Sequence, residues 1–356
     1  MHAPKTHSRP SQQALRQPGK TRTNLSLLGA FFSLSSLLVH LALTLPVLFI
    51  LVSPSDVSAR GKRVTVVRVT QDKSSDRLIR GIKAQFRQSG VVVKLQIIST
   101  AGMANVRQSL PDSLRRIAPD AIITVGSGVT NLVADSITDI PIIFSGVFYP
   151  ELSGFVDSRI VPGGNVTGAS LDISPDVQFK YFKQVNPNLD KLGVIYSSET
   201  AKLIPHAKVV AKARGIELIA VEVGKSGSGY ERDIYRALDS LLAQVDGLWS
   251  LADGNVFSKV GTNLIIKRTL VKKAPFMGFS ATIVASGALF ALDIDYKDVG
   301  RQTAELVERT LAGEAVSHIS ITAPRMIWFH YNENTASRVA ANIPEELRVV
   351  AKEVHQ

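Results

Sequence analysis

The residues best suited to chemistry in this 356-residue chain lie in short polar or glycine-rich loops that follow apolar runs. Gly126-Ser127-Gly128 comes after the run Ala121–Val125 and leads directly into a helical stretch. Glycines permit close backbone approach, and the free N–H groups and dipole at a helix start attract an anion such as a carboxylate. A βα turn with a serine cap would give the same sequence, so both interpretations stay open.

Acidic residues supply the complementary charge. Asp253, in Ala252-Asp253-Gly254-Asn255, could accept the ammonium group of a ligand, because a charge in a closed cleft is tolerable when it is paired. Aspartate is also a common helix N-cap, and the sequence does not separate these two roles. Asp293 and Asp295 would lie on one side of an extended segment, where ligand contact, solvation and hinge hydrogen bonding are all possible.

Aromatic residues complete the set of candidates. Phe148, Tyr149 and Tyr296 could stack on a planar side chain or pack within the protein, and Phe148 is favoured over Tyr149 because it is nearer to a strand end. All candidates follow predicted strands, where ligands bind in open α/β sheets. The predicted ligand-binding residues are Thr70, Gln71, Gly126, Ser127, Gly128, Thr130, Gly146, Phe148, Ser197, Thr200, Asp253, Asn255, Phe279, Asp293 and Tyr296.

Catalysis, cofactors and metals are not predicted. The chain has no cysteine, and its seven histidines form neither an i, i+4 pair nor a His-Glu-x-x-His motif. No Gly-x-Ser-x-Gly nucleophile motif is present. Gly224-Lys225-Ser226 resembles the end of a phosphate-binding loop, but Ile219 stands where that loop needs a glycine.

The net charge of +11 does not indicate nucleic-acid binding. Five of the 41 basic residues lie in the first 22 positions, and residues 60–356 carry 36 basic and 29 acidic side chains. This excess is spread along the chain without a basic run interleaved with aromatic residues, so no nucleic-acid partner is predicted.

The amino terminus predicts export. A basic segment precedes the apolar run Leu25–Val52, which is long enough to span a bilayer. Pro46 and the small-residue run Val57-Ser58-Ala59 favour cleavage near Ala59, which gives a periplasmic protein. Retention as an inner-membrane anchor through residues 25–52 is the alternative.

From Val64 onward, β-branched runs alternate with helical stretches, a pattern typical of parallel sheets covered by helices. The alternation restarts after the turn-forming run Pro162–Gly168, which predicts two Rossmann-like α/β lobes joined by a hinge. The predicted divisions are a leader or anchor helix at 1–59, a first lobe at 60–164 completed by about 313–356, a second lobe at 165–290 and a hinge return at 291–312.

Five short motifs resemble one family. Ile140–Phe144 followed by Pro162–Gly168 is similar to the signature of ABC transporter substrate-binding proteins that include tryptophan- and tyrosine-binding components. The other motifs occur in the same order, and they are Tyr296 with Gly300-Arg301-Gln302, Leu311-Ala312-Gly313-Glu314, Asn332 with Ala336, and Ile343-Pro344.

The resemblance implies a periplasmic-binding-protein fold, capture between the lobes of a small organic, amino-acid-like ligand, aromatic amino acids included, and delivery to a permease driven by a separate ATPase. It implies no enzymatic activity. The sequence departs from the pattern at Tyr149, where relatives commonly carry an acid before the proline that here is Pro150.

A membrane-anchored receptor that senses a ligand and acts on a partner protein is the alternative to a transport component. Both use the same two-lobed fold. A cleaved leader indicates a free transport component, whereas a retained leader indicates an anchored receptor. A repressor is disfavoured because a membrane segment occupies the position where a DNA-binding module would lie.

Overall fold

The computed structural model describes residues 61–154, 156–224 and 229–356, which belong to a unit bounded by Asp56 and Gln356. The prediction of a signal or anchor helix at 1–59 falls outside the described residues. Within the described part of the chain, no helix is both long and apolar enough to cross a membrane.

Strands and helices alternate along most of the described chain. The strands are β1 (Lys62–Arg68), β2 (Val93–Ser99), β3 (Ala121–Val125), β4 (Ile142–Val147), β5 (Val166–Ser170), β6 (Lys191–Tyr196), β7 (Glu217–Glu222), β8 (Gly247–Trp249), β9 (Phe276–Gly278), β10 (Phe290–Ile294), β11 (Ile327–Asn332) and β12 (Ala351–His355). The helices are α1 (Lys73–Ser89), α2 (Val106–Ile117), α3 (Ser127–Ala134), α4 (Pro175–Val185), α5 (Ile204–Ala213), α6 (Tyr230–Leu242), α7 (Lys259–Lys272), α8 (Ala281–Ala285), α9 (Tyr296–Leu311), α10 (Glu333–Val339) and α11 (Glu345–Val349).

The first lobe is built on a five-stranded sheet in the order β2-β1-β3-β4-β5, with all pairs parallel. Side chains alternate between the two faces, so that neighbours on one strand enter different cores. Val66 belongs to the core shared with α1 and α9, whereas Val67 packs with residues of α2 and α3. Because both faces are covered, the strands are apolar on both sides, as parallel sheets require.

Helix α1 shows how local sequence positions the edge of the cleft. Asp72 accepts a hydrogen bond from the backbone N–H of Ser75 at 3.0 Å, which caps the helix start. Gly90 ends the helix in the left-handed region, at φ 72°. Leu78 and Ile82, four residues apart, are buried on the same face. The first turn of α1 is thereby held beside the end of β1.

Helices α1 and α9 pack in backbone contact. A Cβ atom on Gly81 would lie 1.9 Å from the carbonyl oxygen of Lys297, and a Cβ on Gly300 would lie 2.0 Å from the carbonyl oxygen of Leu78. Side chains at these two positions are therefore excluded. This contact supplies the physical reason for the glycine in Gly300-Arg301-Gln302.

The second lobe is built on a seven-stranded sheet in the order β12-β11-β10-β9-β8-β6-β7. Strand β11 runs antiparallel to β10, and the other pairs are parallel. The aromatic side chains Phe182 and Phe290 meet edge to face in one of its cores, with ring centroids 5.2 Å apart. The prediction of two Rossmann-like α/β lobes with mainly parallel sheets is confirmed.

Within the described residues, the chain passes between the lobes three times, at about 171–174, 294–296 and 323–326. The predicted boundaries need two corrections. Residues 165–170 do not open the second lobe, because Val166–Ser170 forms the edge strand of the first sheet. Residues 326–356 do not complete the first lobe, because β11 pairs with β10 and β12 pairs with β11 in the second sheet.

The segment 296–322 does return to the first lobe. Helix α9 packs on α1. Thr322 lies next to β5, where it forms an isolated β-bridge with Ala169 of that strand. Arg325 then pairs with Asp298 and Glu305 of α9, with N–O distances of 3.1 and 3.0 Å, at the third passage.

Candidate functional site

Two adjoining cavities lie at the ends of the strands. The larger, which we call the cleft cavity, has a volume of about 660 Å³ and is lined from both lobes. Its first-lobe lining is Ser74, Arg77, Arg80, Phe148, Tyr296 and Lys297. Its lining from the second lobe and the adjoining crossing is Phe279, Ser280, Ala281, Thr282, Ala285, Asp293, Ile294, Asp295, Trp328, His330, Lys352, Glu353 and His355. This volume is within the range of small-molecule sites.

The smaller cavity, which we call the loop cavity, has a volume of about 290 Å³ and lies over the strand ends of the first lobe. It is lined by Thr70, Gly126 and Gly146, three of the predicted site residues. Tyr296 and Ser74 line both cavities, so the two spaces meet at these side chains.

The cleft cavity contains four of the predicted ligand-binding residues, which are Phe148, Phe279, Asp293 and Tyr296. They come from three chain segments on two lobes, because Asp293 and Tyr296 lie in one stretch where β10 ends and α9 begins. These side chains reach one cavity because parallel strands bring their carboxyl ends to one edge of a sheet.

Aromatic rings form much of this cavity wall. Phe279 packs edge to face against Phe257, with centroids 5.2 Å apart, which fixes its orientation. Trp328 carries the ammonium group of Lys352 over its ring at 4.5 Å from the centroid. With Phe148 and Tyr296, these rings offer flat apolar surfaces to a planar ligand group.

Charges of both signs border the same cavity. Arg77 and Arg80 lie one turn apart on α1, and both are exposed. On the opposite wall, Asp293 accepts hydrogen bonds from the backbone N–H groups of Ala281 at 2.9 Å and Ile294 at 2.7 Å. These bonds hold the carboxylate in place while each oxygen retains capacity to accept another donor.

The ionisation of two side chains in this region is shifted by their surroundings. Burial, reinforced by the nearby charge of Asp293, raises the pKa of Tyr296 to about 12. Burial also lowers the pKa of His330 below its usual range. Tyr296 is therefore a neutral phenol at physiological pH, able to donate or accept a hydrogen bond.

Asp253 is buried and fully hydrogen-bonded within the protein, whereas a ligand contact needs an accessible carboxylate oxygen. It is 1 % exposed, and its oxygens accept hydrogen bonds from Ser197, Thr200, Asn255 and Val256, at distances between 2.7 and 3.1 Å. Both oxygens are engaged, but Ser258 is the N-cap of α7, the helix that follows, so Asp253 is not a helix cap either. The expected ammonium contact at Asp253 is corrected, because its carboxylate joins two loops of the second lobe.

The neighbours of Asp253 share this structural role. The Ser197 and Thr200 hydroxyls are buried and donate to the carboxylate, and Asn255 donates to Glu199 at 3.1 Å. The structure thus brings together four of the predicted site residues, Ser197, Thr200, Asp253 and Asn255. They lie outside the linings of the cleft and loop cavities.

The glycine-rich loop of the first lobe has an open helix start. Gly126 is the N-cap of α3 at φ 88°, and no side chain caps this helix, so the serine cap is not formed. Thr130 is fully buried and its hydroxyl donates to the Gly126 carbonyl at 2.8 Å, so it supports the loop from beneath. Ser127 is half-buried and Gly128 exposed, whereas Gln71 bonds to Asp76 at 3.3 Å.

Tyr149, the residue that departs from the family pattern, connects the lobes. It adopts a left-handed conformation at φ 50°, and its backbone N–H donates to Asp172 at 2.8 Å. Its hydroxyl accepts a hydrogen bond from the backbone N–H of Ala252 in the second lobe at 3.2 Å. Burial raises the pKa of Tyr149 to about 12.

Several lining residues were missed by the sequence reasoning. Arg77 and Arg80 lie one and two turns into α1, beyond the loop Thr70-Gln71 that follows β1. Trp328, His330 and Glu353 lie on β11 and β12, which were not assigned to this sheet. Ala351–His355 carries the adjacent charged residues Lys352 and Glu353, so it lacks the alternation of polar and apolar residues that would indicate a strand.

These features define a two-lobed binding protein with a ligand-sized cavity at the lobe junction. The chain belongs to the ABC transporter substrate binding protein family, which matches residues 63–355. Members of this family bind substrates without converting them, so the predictions of family and of a non-enzymatic role are confirmed.

Individual relatives agree with this assignment. A tyrosine-binding protein of Clostridioides difficile (strain R20291) is 28% identical over 265 residues, which cover 74% of this chain and 75% of the relative. The ligand-free, open structure of a substrate binding protein with adhesive properties from Clostridium difficile is similar with a TM-score of 0.70 at 19% identity, over 83% of this chain and 100% of that chain. An ABC domain in complex with L-Trp from Streptococcus pneumonia is similar with a TM-score of 0.64 at 20% identity, over the same shares of both chains. These two structures are similar in fold.

Proposed function

We propose that this protein is the extracytoplasmic solute-binding component of an ABC importer and that it captures an aromatic amino acid in the cleft cavity. The observation that carries the proposal is the composition of this cavity wall. Four aromatic side chains and charged groups of both signs surround one space of about 660 Å³.

The charges fit a zwitterion. The carboxylate of an amino acid would face Arg77 and Arg80, whose guanidinium groups suit bidentate pairing. Its ammonium group would face Asp293, whose carboxylate is fixed by two backbone N–H groups. These partners lie on different lobes, so one ligand would pair with both walls.

The rings fit an aromatic side chain. Phe148 belongs to the first lobe and Phe279 to the second, and a planar group between them would gain contact from both. Stacked and edge-to-face pairs contribute roughly 0.5–1.5 kcal/mol each beyond area burial. The relatives described above include a tyrosine-binding protein and a complex with L-Trp, which supports the same ligand class.

A ligand that contacts both lobes favours the arrangement in which both contacts are made. Three chain passages connect the lobes, so closure needs backbone rotation only near those passages. A membrane permease, with its ATPase, would then recognise the liganded shape. Export to the extracytoplasmic side rests on the basic leader and the apolar run at 25–52.

Thermal-shift measurements on the purified protein test the ligand class. We expect L-tryptophan, L-tyrosine or L-phenylalanine to raise the melting temperature, and tyramine, which lacks the carboxylate, to give a much smaller shift. L-Leucine and L-lysine test the need for an aromatic ring. If a sugar or a nucleoside stabilises the protein and no aromatic amino acid does, the ligand proposal is wrong while the family assignment stands.

Charge-removing variants test the pose. Loss of a charged hydrogen bond costs about 1.5–3 kcal/mol, so Arg77→Ala and Asp293→Asn should each weaken binding by roughly 10- to 150-fold. Matched controls are Arg87→Ala, on the last turn of α1, and Asp139→Asn, both exposed and outside the cavity lining. Equal affinities in the site and control variants would place the ligand elsewhere.

Cellular uptake tests the transport role. Deleting the gene should abolish uptake of the radiolabelled aromatic amino acid that binds in vitro, and sequencing the amino terminus of the exported protein should show Arg60 first if the leader is cleaved. Normal uptake in the deletion strain, with binding intact in vitro, would favour a sensing role.

A further inference from the structure

Three metal-ligating side chains meet at one end of the second lobe. Strands β11 and β12 are parallel neighbours in which His330 is paired with Glu353 and Asn332 with His355. Glu353 and His355 are two residues apart on β12, so their side chains emerge on the same face of the strand. His330 comes from the adjacent strand, after a register shift between Phe329 and His330.

The distances between the donor atoms suit a transition metal. His330 Nδ1 lies 3.4 Å from His355 Nε2, and Glu353 Oε2 lies 4.0 Å from the first nitrogen and 3.8 Å from the second. Ligands bound tetrahedrally to Zn²⁺ at 2.0–2.1 Å are about 3.3 Å apart. The two nitrogens already have this spacing, and a shift of well under 1 Å by the carboxylate would complete the triangle.

Burial differs among the three ligands in a way that permits this adjustment. The side chains of His330 and His355 are 7 % and 12 % exposed, whereas that of Glu353 is 62 % exposed. Packing therefore fixes the imidazoles, and the glutamate is free to move toward an ion. Two imidazoles and one carboxylate are a ligand set typical of zinc and related divalent ions.

We propose that His330, Glu353 and His355 form a site for a divalent transition-metal ion of the Zn²⁺ type, with an open coordination position toward the cleft cavity. All three residues line that cavity, so a water molecule or an anionic group of a ligand could fill the fourth position. Asp293 adds negative charge on the neighbouring wall, and Lys352, held over Trp328, is the opposing positive charge.

Without a metal, the two imidazoles would share a hydrogen bond in which one ring donates to the other. The metal proposal requires both nitrogens to act as acceptors toward the ion. Isothermal titration of Zn²⁺ into tag-free protein, without any amino acid present, separates these two states. The proposal is independent of which solute binds in the cleft.

We expect one Zn²⁺ per chain at this site, with affinity lowered by about 100-fold or more in His355→Ala and Glu353→Gln, since even outer-shell changes cost 10- to 100-fold. His206→Ala, an exposed histidine on α5, is the matched control and should bind as the wild type does. His355 and Glu353 are the variants of choice because they are less buried than His330. Bound Co²⁺ should show the intense visible absorption of a tetrahedral site.

Absence of Zn²⁺ binding in the micromolar range would contradict the proposal and leave a hydrogen-bonded histidine pair. Binding that is retained in both His355→Ala and Glu353→Gln would contradict it equally, because the ion would then be held elsewhere. Neither result bears on the thermal-shift screen with amino acids, so failure here and failure of the proposed function are distinguishable.

Discussion

Replacing Tyr149 with phenylalanine should change the alkaline stability of the protein in a defined way. The hydroxyl accepts a hydrogen bond from the backbone of Ala252 across the lobe junction, so its loss should cost about 0.5–1.5 kcal/mol at neutral pH. The ring remains in place, so the packing against the second lobe is kept.

The magnitude of the pH effect follows from the raised pKa. The pKa of Tyr149 is about 12 in the folded protein against 10 in the unfolded chain, because burial disfavours the phenolate. The folded state then holds the phenol proton more tightly than the unfolded chain does. The stability that the protonated Tyr149 contributes is therefore present below pH 10 and is lost as pH rises through 12. At pH 11 the free energy of unfolding would be lower by about 1.4 kcal/mol if the side chain were completely buried. For the half-buried side chain the decrease would be roughly 1 kcal/mol.

Urea unfolding of wild type and Tyr149→Phe at pH 8, 9, 10 and 11 measures this difference directly. Wild type should be more stable by about 1 kcal/mol at pH 8, and the two proteins should approach equal stability near pH 11. Other groups that titrate in this range affect both proteins and cancel, and Tyr235→Phe controls for removal of an exposed phenol. A stability difference that is the same at pH 8 and pH 11 would refute the buried, lobe-bridging hydroxyl.

Further predictions concern the framework. Gly300→Ala should lower the free energy of unfolding by roughly 3 kcal/mol or more, because its Cβ would overlap the Leu78 carbonyl, whereas Gly224→Ala, which meets no atom within 4 Å, should have little effect in the same urea titration. Asp253→Ala should cost about 3–5 kcal/mol, since it removes a buried acceptor from several donors, and thermal unfolding checks this against the exposed Asp112→Ala. Ligand affinity of the folded Asp253→Ala protein should stay within a few-fold of wild type by calorimetry, and a selective loss of more than 100-fold would restore Asp253 as a ligand contact.

The alternation of strands and helices made the two lobes predictable from the sequence. Runs such as Ala121–Val125 are mostly apolar and buried throughout, as strands covered on both faces are, and α1 carries its apolar residues at helical spacing. Gly300 is recognisable in the sequence as a motif residue, but the need for a glycine at that position is not. The need arises from backbone contact between α1 and α9, which are more than 200 residues apart in the chain.

The errors lie where pairing partners decide the structure. Val166–Ser170 overlaps the turn-forming run Pro162–Gly168 and contains a glycine and small polar residues, a composition that favours a linker, yet it pairs along β4. Gly168 is needed there because a Cβ would lie 2.3 Å from the Phe144 carbonyl oxygen. The tail was assigned to the wrong lobe because periodicity identifies a strand but does not say which sheet it joins.

The candidate site was predictable in part for the same reason. Phe148, Phe279 and Tyr296 follow strands, Asp293 lies near the end of β10, and all four line the cleft cavity. Asp253 also follows a strand, but it is buried and its carboxylate is saturated with hydrogen bonds. Burial and hydrogen-bond saturation distinguish these cases, and both depend on the folded arrangement. The histidine pair, separated by 25 positions, becomes a cluster only through the pairing of β11 with β12.

The fluorescence of Trp328 during titration with L-phenylalanine or L-tyrosine tests the central claim most directly. The chain has two tryptophans, of which Trp249 is 1 % exposed in the second-lobe core and Trp328 lines the cleft cavity. We predict a saturable change in emission that persists in Trp249→Phe and disappears in Trp328→Phe. Calorimetric binding of an aromatic amino acid that leaves Trp328 emission unchanged would contradict capture in the cleft cavity.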